Sequence, residues 1–214
     1  MKTLSRLGGA LAMAAGAALT LGSSAASAQV NFQGSTDGCF GMACTPTSTA
    51  TLQGLTYLDS TFNVTSVNGG AFIGNAPVSP NFNNLGSFSV VGSPFAYDGS
   101  RFELTVNFTV PSPTTPNSVL FASALSGTAV STNNGGVFID FDNTPRNFTF
   151  GSGATAGAFT FFVNDLSVTT GGAVAVTGVL RTQQVSAIPE PETYALMMAG
   201  LAAVGFMSRR RKKA

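Results

Sequence analysis

Arg101-Phe102-Glu103-Leu104-Thr105-Val106-Asn107-Phe108-Thr109-Val110 is the stretch that decides the fold. Phe102, Leu104, Val106, Phe108 and Val110 fall on one side of an extended chain. Arg101, Glu103, Thr105, Asn107 and Thr109 fall on the other. Successive side chains of a strand point to opposite faces, so a period of two predicts a strand with one buried and one wet face. Pro111 and Pro113 end it, because proline cannot donate to a hydrogen-bonded ladder. Asp98-Gly99 supplies a turn before it.

Working outward, similar runs recur between turn residues. Thr49–Leu58 and Thr61–Val67 read as a pair around Asp59-Ser60, and Gly86–Val91 follows. Val119–Val130 is one long or two short strands. Val137, Ile139 and Phe141 alternate with Phe138, Asp140 and Asp142. Phe148 and Phe150 share a side, as do Phe159, Phe161 and Val163. Val174 and Val176 open a last strand that runs toward Arg181. No helical period of useful length interrupts them. The expected class is all-β, a β-sandwich, with a β-barrel or jelly roll as the alternative. The 18 phenylalanines supply much of the expected core. Gly34–Thr49, rich in Gly, Ser and Thr, is expected to lead into the domain, and Gln183–Ile188 to link it to the tail.

Only 9% of the 214 residues are charged, and the chain has no His and no Trp. Lacking His, it lacks the commonest general base and metal ligand. The charges are segregated. Lys2 and Arg6 lie at one end, and Arg209, Arg210, Arg211, Lys212 and Lys213 at the other. Residues 29–187 hold three arginines against six aspartates and one glutamate, a net charge of −4. An acidic domain without a basic patch does not track a phosphate backbone, which excludes nucleic acid as a partner.

Residues 1–28 have the three parts of a secretory signal peptide, expected to form a signal helix. A basic start leads to an apolar run from Leu7 to Leu21, then to Ala26-Ser27-Ala28, with cleavage expected after Ala28. This implies passage through the Sec export machinery. In an oxidising compartment Cys39 and Cys44, spaced C-x4-C, are expected to form a disulfide. Two cysteines are too few ligands for a metal, and a catalytic thiol would lack a His partner.

The C-terminal residues 188–214 read Ile188-Pro189-Glu190-Pro191-Glu192-Thr193, an uncharged apolar run from Tyr194 to Met207, then Ser208 and the basic cluster. The run is apolar all round, unlike an amphipathic helix that packs one stripe on a core. It predicts one transmembrane helix over 194–207, a little short of the usual span of about 20 residues. The basic end is expected to stay cytoplasmic and to place the domain on the far side.

This tail resembles the PEP-CTERM sorting domain. Pro189, Glu190 and Pro191 match its signature tripeptide, Tyr194–Met207 its helix, and Arg209, Arg210 and Arg211 its basic stop. The resemblance implies recognition by an exosortase, a membrane protease, and removal of the tail. It also implies a Gram-negative, exopolysaccharide-producing bacterium. The protein would sit transiently in the inner membrane, then at the cell surface or outside the cell. Residues 29–187, the exported β-rich domain, are generally similar to choice-of-anchor exported β-domains.

The domain offers little chemistry. No G-x-S-x-G occurs, no Lys lies within residues 29–187 to activate a Ser, and Glu103 is the only Glu there. No catalytic residue and no cofactor is assigned. The one candidate cation is calcium, for which Asp140, Asp142 and Asn143 offer oxygens beside a loop. The expected function is that of a non-catalytic surface or extracellular-matrix protein associated with exopolysaccharide or biofilm. The alternative is a carbohydrate-binding module, whose sugar-stacking rings would be Tyr57, Tyr97 or outward Phe residues. An enzyme ranks last.

Overall fold

The computed structural model describes residues 29–77, 80–92, 94–131, 134–153, 156–183, 196–201 and 204. The domain is all-β, and every pair of strands in it is antiparallel. The signal segment 1–28 lies outside the described residues.

The strands fall into three sheets where a sandwich has two. The largest has the order β14 (Leu166–Thr169), β11 (Asn134–Phe141), β10 (Ser118–Ser131), β8 (Arg101–Val110), β1 (Asn31–Phe40) and β4 (Ser60–Thr65). The short β7 (Phe95–Ala96) pairs with β10. A five-stranded sheet has the order β5 (Gly70–Ile73), β16 (Gly178–Gln183), β13 (Gly157–Val163), β12 (Arg146–Phe150) and β9 (Thr114–Thr115). A four-stranded sheet runs β15 (Ala173–Ala175), β6 (Ser87–Val90), β3 (Leu55–Leu58) and β2 (Thr49–Leu52).

Phenylalanine builds the core between them. Eleven phenylalanines are buried among the described residues. Phe108 of β8 meets Phe148, Phe159 and Phe161 of the five-stranded sheet edge-on, with centroids 5.0–5.5 Å apart. Phe102 of the same strand meets Tyr57 and Phe88 of the four-stranded sheet, each at 4.9 Å. The inward face of β8 therefore carries rings into both smaller sheets. Edge-to-face pairs at this spacing add to the stabilisation from apolar burial.

The strand at 101–110 is where its period places it, with Phe102, Leu104, Val106 and Phe108 buried. Four expectations are corrected. Asn31–Phe40 is a central strand of the largest sheet rather than part of a lead-in. Thr49–Leu58 is a hairpin, β2 and β3, turning at Gln53-Gly54. Residues around Asp59-Ser60 do not form a hairpin; the chain changes sheet there, and β4 pairs with β1. Val174–Arg181 is divided between β15 and β16 in different sheets, because Val176 N–H bonds to Gly86 O and Leu85 N–H to Val176 O at the crossing.

Candidate functional site

The two ends of the domain are placed by simple contacts. Gln29 is exposed, and Val30 is the first residue tied down, its N–H donating to Ser66 Oγ at 2.8 Å and its carbonyl accepting from Ser66 N–H at 2.8 Å. The last strand ends at Gln183. Ala28, Pro189, Glu190, Pro191, Arg209, Arg210 and Arg211 lie outside the described residues.

Residues 196–201 and 204 are helical. Leu196, Met197, Met198, Leu201 and Val204 are each 59–70% exposed, so none of these apolar side chains is buried in the domain core. Among the described residues no helix is long and apolar enough to cross a membrane.

Of the residues considered for calcium, Asp142 and Asn143 are held by other partners. Asp142 Oδ2 accepts from Arg146 Nη2 at 2.7 Å, and its Oδ1 accepts from Thr144 N–H at 3.0 Å. These bonds, Thr144 foremost and then Arg146, hold the Asp142 carboxyl below its ordinary value. Asn143 Nδ2 donates to Asp165 Oδ2 at 3.0 Å, and Phe141 N–H to Asp165 Oδ1 at 2.9 Å. Asp140 is exposed on the outer face of β11, opposite Ala124. The group knits the turn after β11 to the turn before β14. Among the described residues, the acidic and cysteine side chains close enough to share a metal are Cys39, Cys44 and Glu103 alone. Asp140, Asp142 and Asp165 do not converge in that way.

Cys39 and Cys44 are joined by a disulfide, with Cα atoms 5.9 Å apart. Glu103 lies opposite Cys39 in the β1–β8 register and accepts a hydrogen bond from Ala43 N–H.

The aromatic residues divide differently from the sequence expectation. Tyr57 and Tyr97 are fully buried and unable to stack on a ligand. Outward phenylalanines remain: Phe72 on the five-stranded sheet, Phe138 on the largest sheet and Phe82 before β6 are exposed among the described residues, and Phe162 is half-buried. Phe72, Val179 and Phe162 lie side by side across β5, β16 and β13. Beside them, Asn147, Thr160 and Arg181 form a polar row across β12, β13 and β16. Phe72, Phe162, Val179 and Arg181 help to line an open groove of about 940 Å³. Among the described residues Arg181 makes no ion pair. Phe162 is legible in the sequence as the ring out of phase with Phe159, Phe161 and Val163. Phe72 is not, because Gly70–Ile73 is too short to show a period.

The family model of the PEP-CTERM protein-sorting motif matches residues 187–212. The chain is thus a PEP-CTERM domain-containing protein, the motif covering its tail and not the β domain. The motif marks an exported protein whose tail is held transiently in the membrane and processed by an exosortase. No curated protein and no solved structure matches the chain.

Proposed function

We propose that the mature product is the β domain alone, a non-catalytic protein of the cell surface or extracellular matrix that works in contact with exopolysaccharide. The sorting motif at 187–212 is the observation that carries this reading. Two features of the fold support it. Cleavage after Ala28 would leave Val30 and every strand in place, and removal of the tail would begin beyond β16. Both ends can be trimmed without breaking a ladder. Delivery through the Sec machinery follows from the signal-peptide pattern of residues 1–28. On the same reading the two smaller sheets together form the second layer of a sandwich facing the seven-stranded sheet.

Intact-mass measurement of the protein from its native host tests this. The expected species starts at Gln29 and ends near Pro189-Glu190-Pro191. A mature membrane protein that keeps Arg209–Arg211 would make the tail a plain anchor and end the exosortase reading.

The groove over the five-stranded sheet favours a second reading, a carbohydrate-binding module. Rings of Phe72 and Phe162 offer apolar faces for the C–H faces of sugars, and Asn147, Thr160 and Arg181 offer hydrogen-bonding groups beside them. Arg181, which makes no ion pair among the described residues, offers a bidentate donor to the carboxylate of an acidic sugar, a local attraction that works against the domain's net charge of −4. Replacing Phe72 and Phe162 together by Ala is expected to abolish retardation in a gel containing acidic exopolysaccharide. Equal retardation of both proteins would remove this second reading and leave the first standing.

A further inference from the structure

Two cysteines alone make too few ligands for a metal, but the fold brings a third group to them. Cys39 and Glu103 are direct cross-strand partners on the outer face of β1 and β8. Residues 41–44 fold back over that face, and Cys39 is 5% exposed although it lies on the wet side of its strand. Cys39 Sγ, Cys44 Sγ and a carboxylate oxygen of Glu103 all lie within 4.8 Å of one another. Glu103 Oε2 is 3.8 Å from Cys44 Sγ. Its other oxygen, Oε1, accepts the Ala43 N–H at 3.1 Å and so fixes the carboxylate's direction.

The loop is also held by hydrogen bonds that do not involve the sulfurs. Gly41 N–H donates to Arg101 O at 2.9 Å, and Gly38 and Thr47 exchange hydrogen bonds of 3.1 and 3.0 Å. With the Ala43–Glu103 bond, these tie the start and middle of the loop to β8 and its far end to β1, and so bring the chain around both sulfurs to the carboxylate.

We infer that in its dithiol form this loop binds a thiophilic divalent cation of the zinc class. Cys39 Sγ, Cys44 Sγ and Glu103 Oε2 are three of four tetrahedral ligands, and the fourth position is open to water. Two thiolates with one carboxylate suit zinc and its tetrahedral relatives, whereas calcium and magnesium take all-oxygen sets. The Ala43 N–H on Oε1 is the outer-shell bond that orients such a ligand.

The chemistry balances. An external dithiol gives two electrons and two protons to the Cys39–Cys44 disulfide and leaves as its own cyclic disulfide. Each protein thiol then loses its proton to solvent as its sulfur takes the metal, so binding releases two protons and weakens as pH falls. A newly exported chain reaches the dithiol state with no reductant, because thiols are kept reduced before export.

The test uses the full chain in detergent, reduced with dithiothreitol, desalted under argon and titrated with cobalt(II) chloride. One cobalt per chain is expected, with a thiolate-to-cobalt charge-transfer band and the visible bands of a tetrahedral site, both bleached by zinc. Glu103→Gln, on the wet face of its strand, is expected to keep the charge-transfer band and to weaken cobalt binding about tenfold or more. The Cys39→Ser/Cys44→Ser double variant is expected to show no band. Circular dichroism before metal addition should keep the strand signal of the oxidised chain. Loss of that signal on reduction, absence of the band, or equal affinity in Glu103→Gln would each overturn the inference.

Discussion

Gly34 shows how much rests on the absence of a side chain. It lies on the inward side of β1, and a Cβ there would fall 2.1 Å from the Asn107 carbonyl oxygen and 2.4 Å from Phe62 Cζ. The oxygen belongs to the backbone of β8 and cannot step aside as a flexible side chain would. Gly34→Ala is expected to lower stability by at least about 2 kcal/mol, read as a fall in the urea midpoint. Gly38 plays the same part under Phe102 and Tyr57, with a Cβ meeting their rings at 2.3 and 2.8 Å. Tyr57 is pinned in turn by its hydroxyl, 3.0 Å from both Leu85 O and Thr36 Oγ1. Burial pushes its pKa far up, so it remains a neutral hydrogen-bonding group at any ordinary pH. Two glycines and a hydroxyl thus fix where the rings of three elements meet.

At the scale of elements, legibility followed length and alternation. β8, β11, β12 and β13 alternate over five residues or more, and their buried residues are the ones their period selects. β1 hides its identity, since its inward positions include Gly34, Thr36 and Gly38, chosen for the rings above them rather than for hydrophobicity. The β2–β3 turn is legible only afterwards. Gln53 and Gly54 both have positive φ, 47° and 85°, the backbone of a tight primed hairpin turn, yet Gln is not a residue that advertises it. The turn from β11 to β12 carries a pH prediction. The Asp142 carboxyl is held below its ordinary value, so its contribution is present at pH above the usual carboxylate range and lost as pH falls through the folded value. Asp142→Asn is expected to flatten the acid side of the stability profile without altering the fold. Asp59 carries the opposite sign. Burial first, and Asp37 second, raise its pKa, so its contribution is present below the unfolded value and lost as pH rises through the folded one. Urea midpoints across acid and neutral pH are expected to show Asp59→Asn stabilising at neutral pH only.

At the scale of the whole molecule, strand formation and sorting occupy separate parts of the chain. Among the described residues all strands lie between Asn31 and Gln183, and the sorting motif begins at residue 187. The apolar side chains of residues 196–201 and 204 are exposed and contribute nothing to the domain core. A chain ending at Ala187 is therefore expected to unfold at the same urea midpoint as the full chain, while failing to be processed in the native host. A lower midpoint would mean that the tail packs on the domain.

The sequence by itself determined the class of structure and the tail. A period of two over ten residues and a contiguous motif are both local patterns, written in neighbouring positions and needing no partner to be recognised. Tertiary structure decided what local patterns cannot encode. It made a glycine-rich stretch into a central strand, because the space it leaves is filled by rings from elsewhere. It buried Tyr57 and Tyr97, exposed Phe72 and left Phe162 half-buried, because burial depends on which sheet covers which face. It also set Glu103 beside Cys39 and Cys44, a proximity across some 60 residues of chain that exists only once β1 and β8 pair.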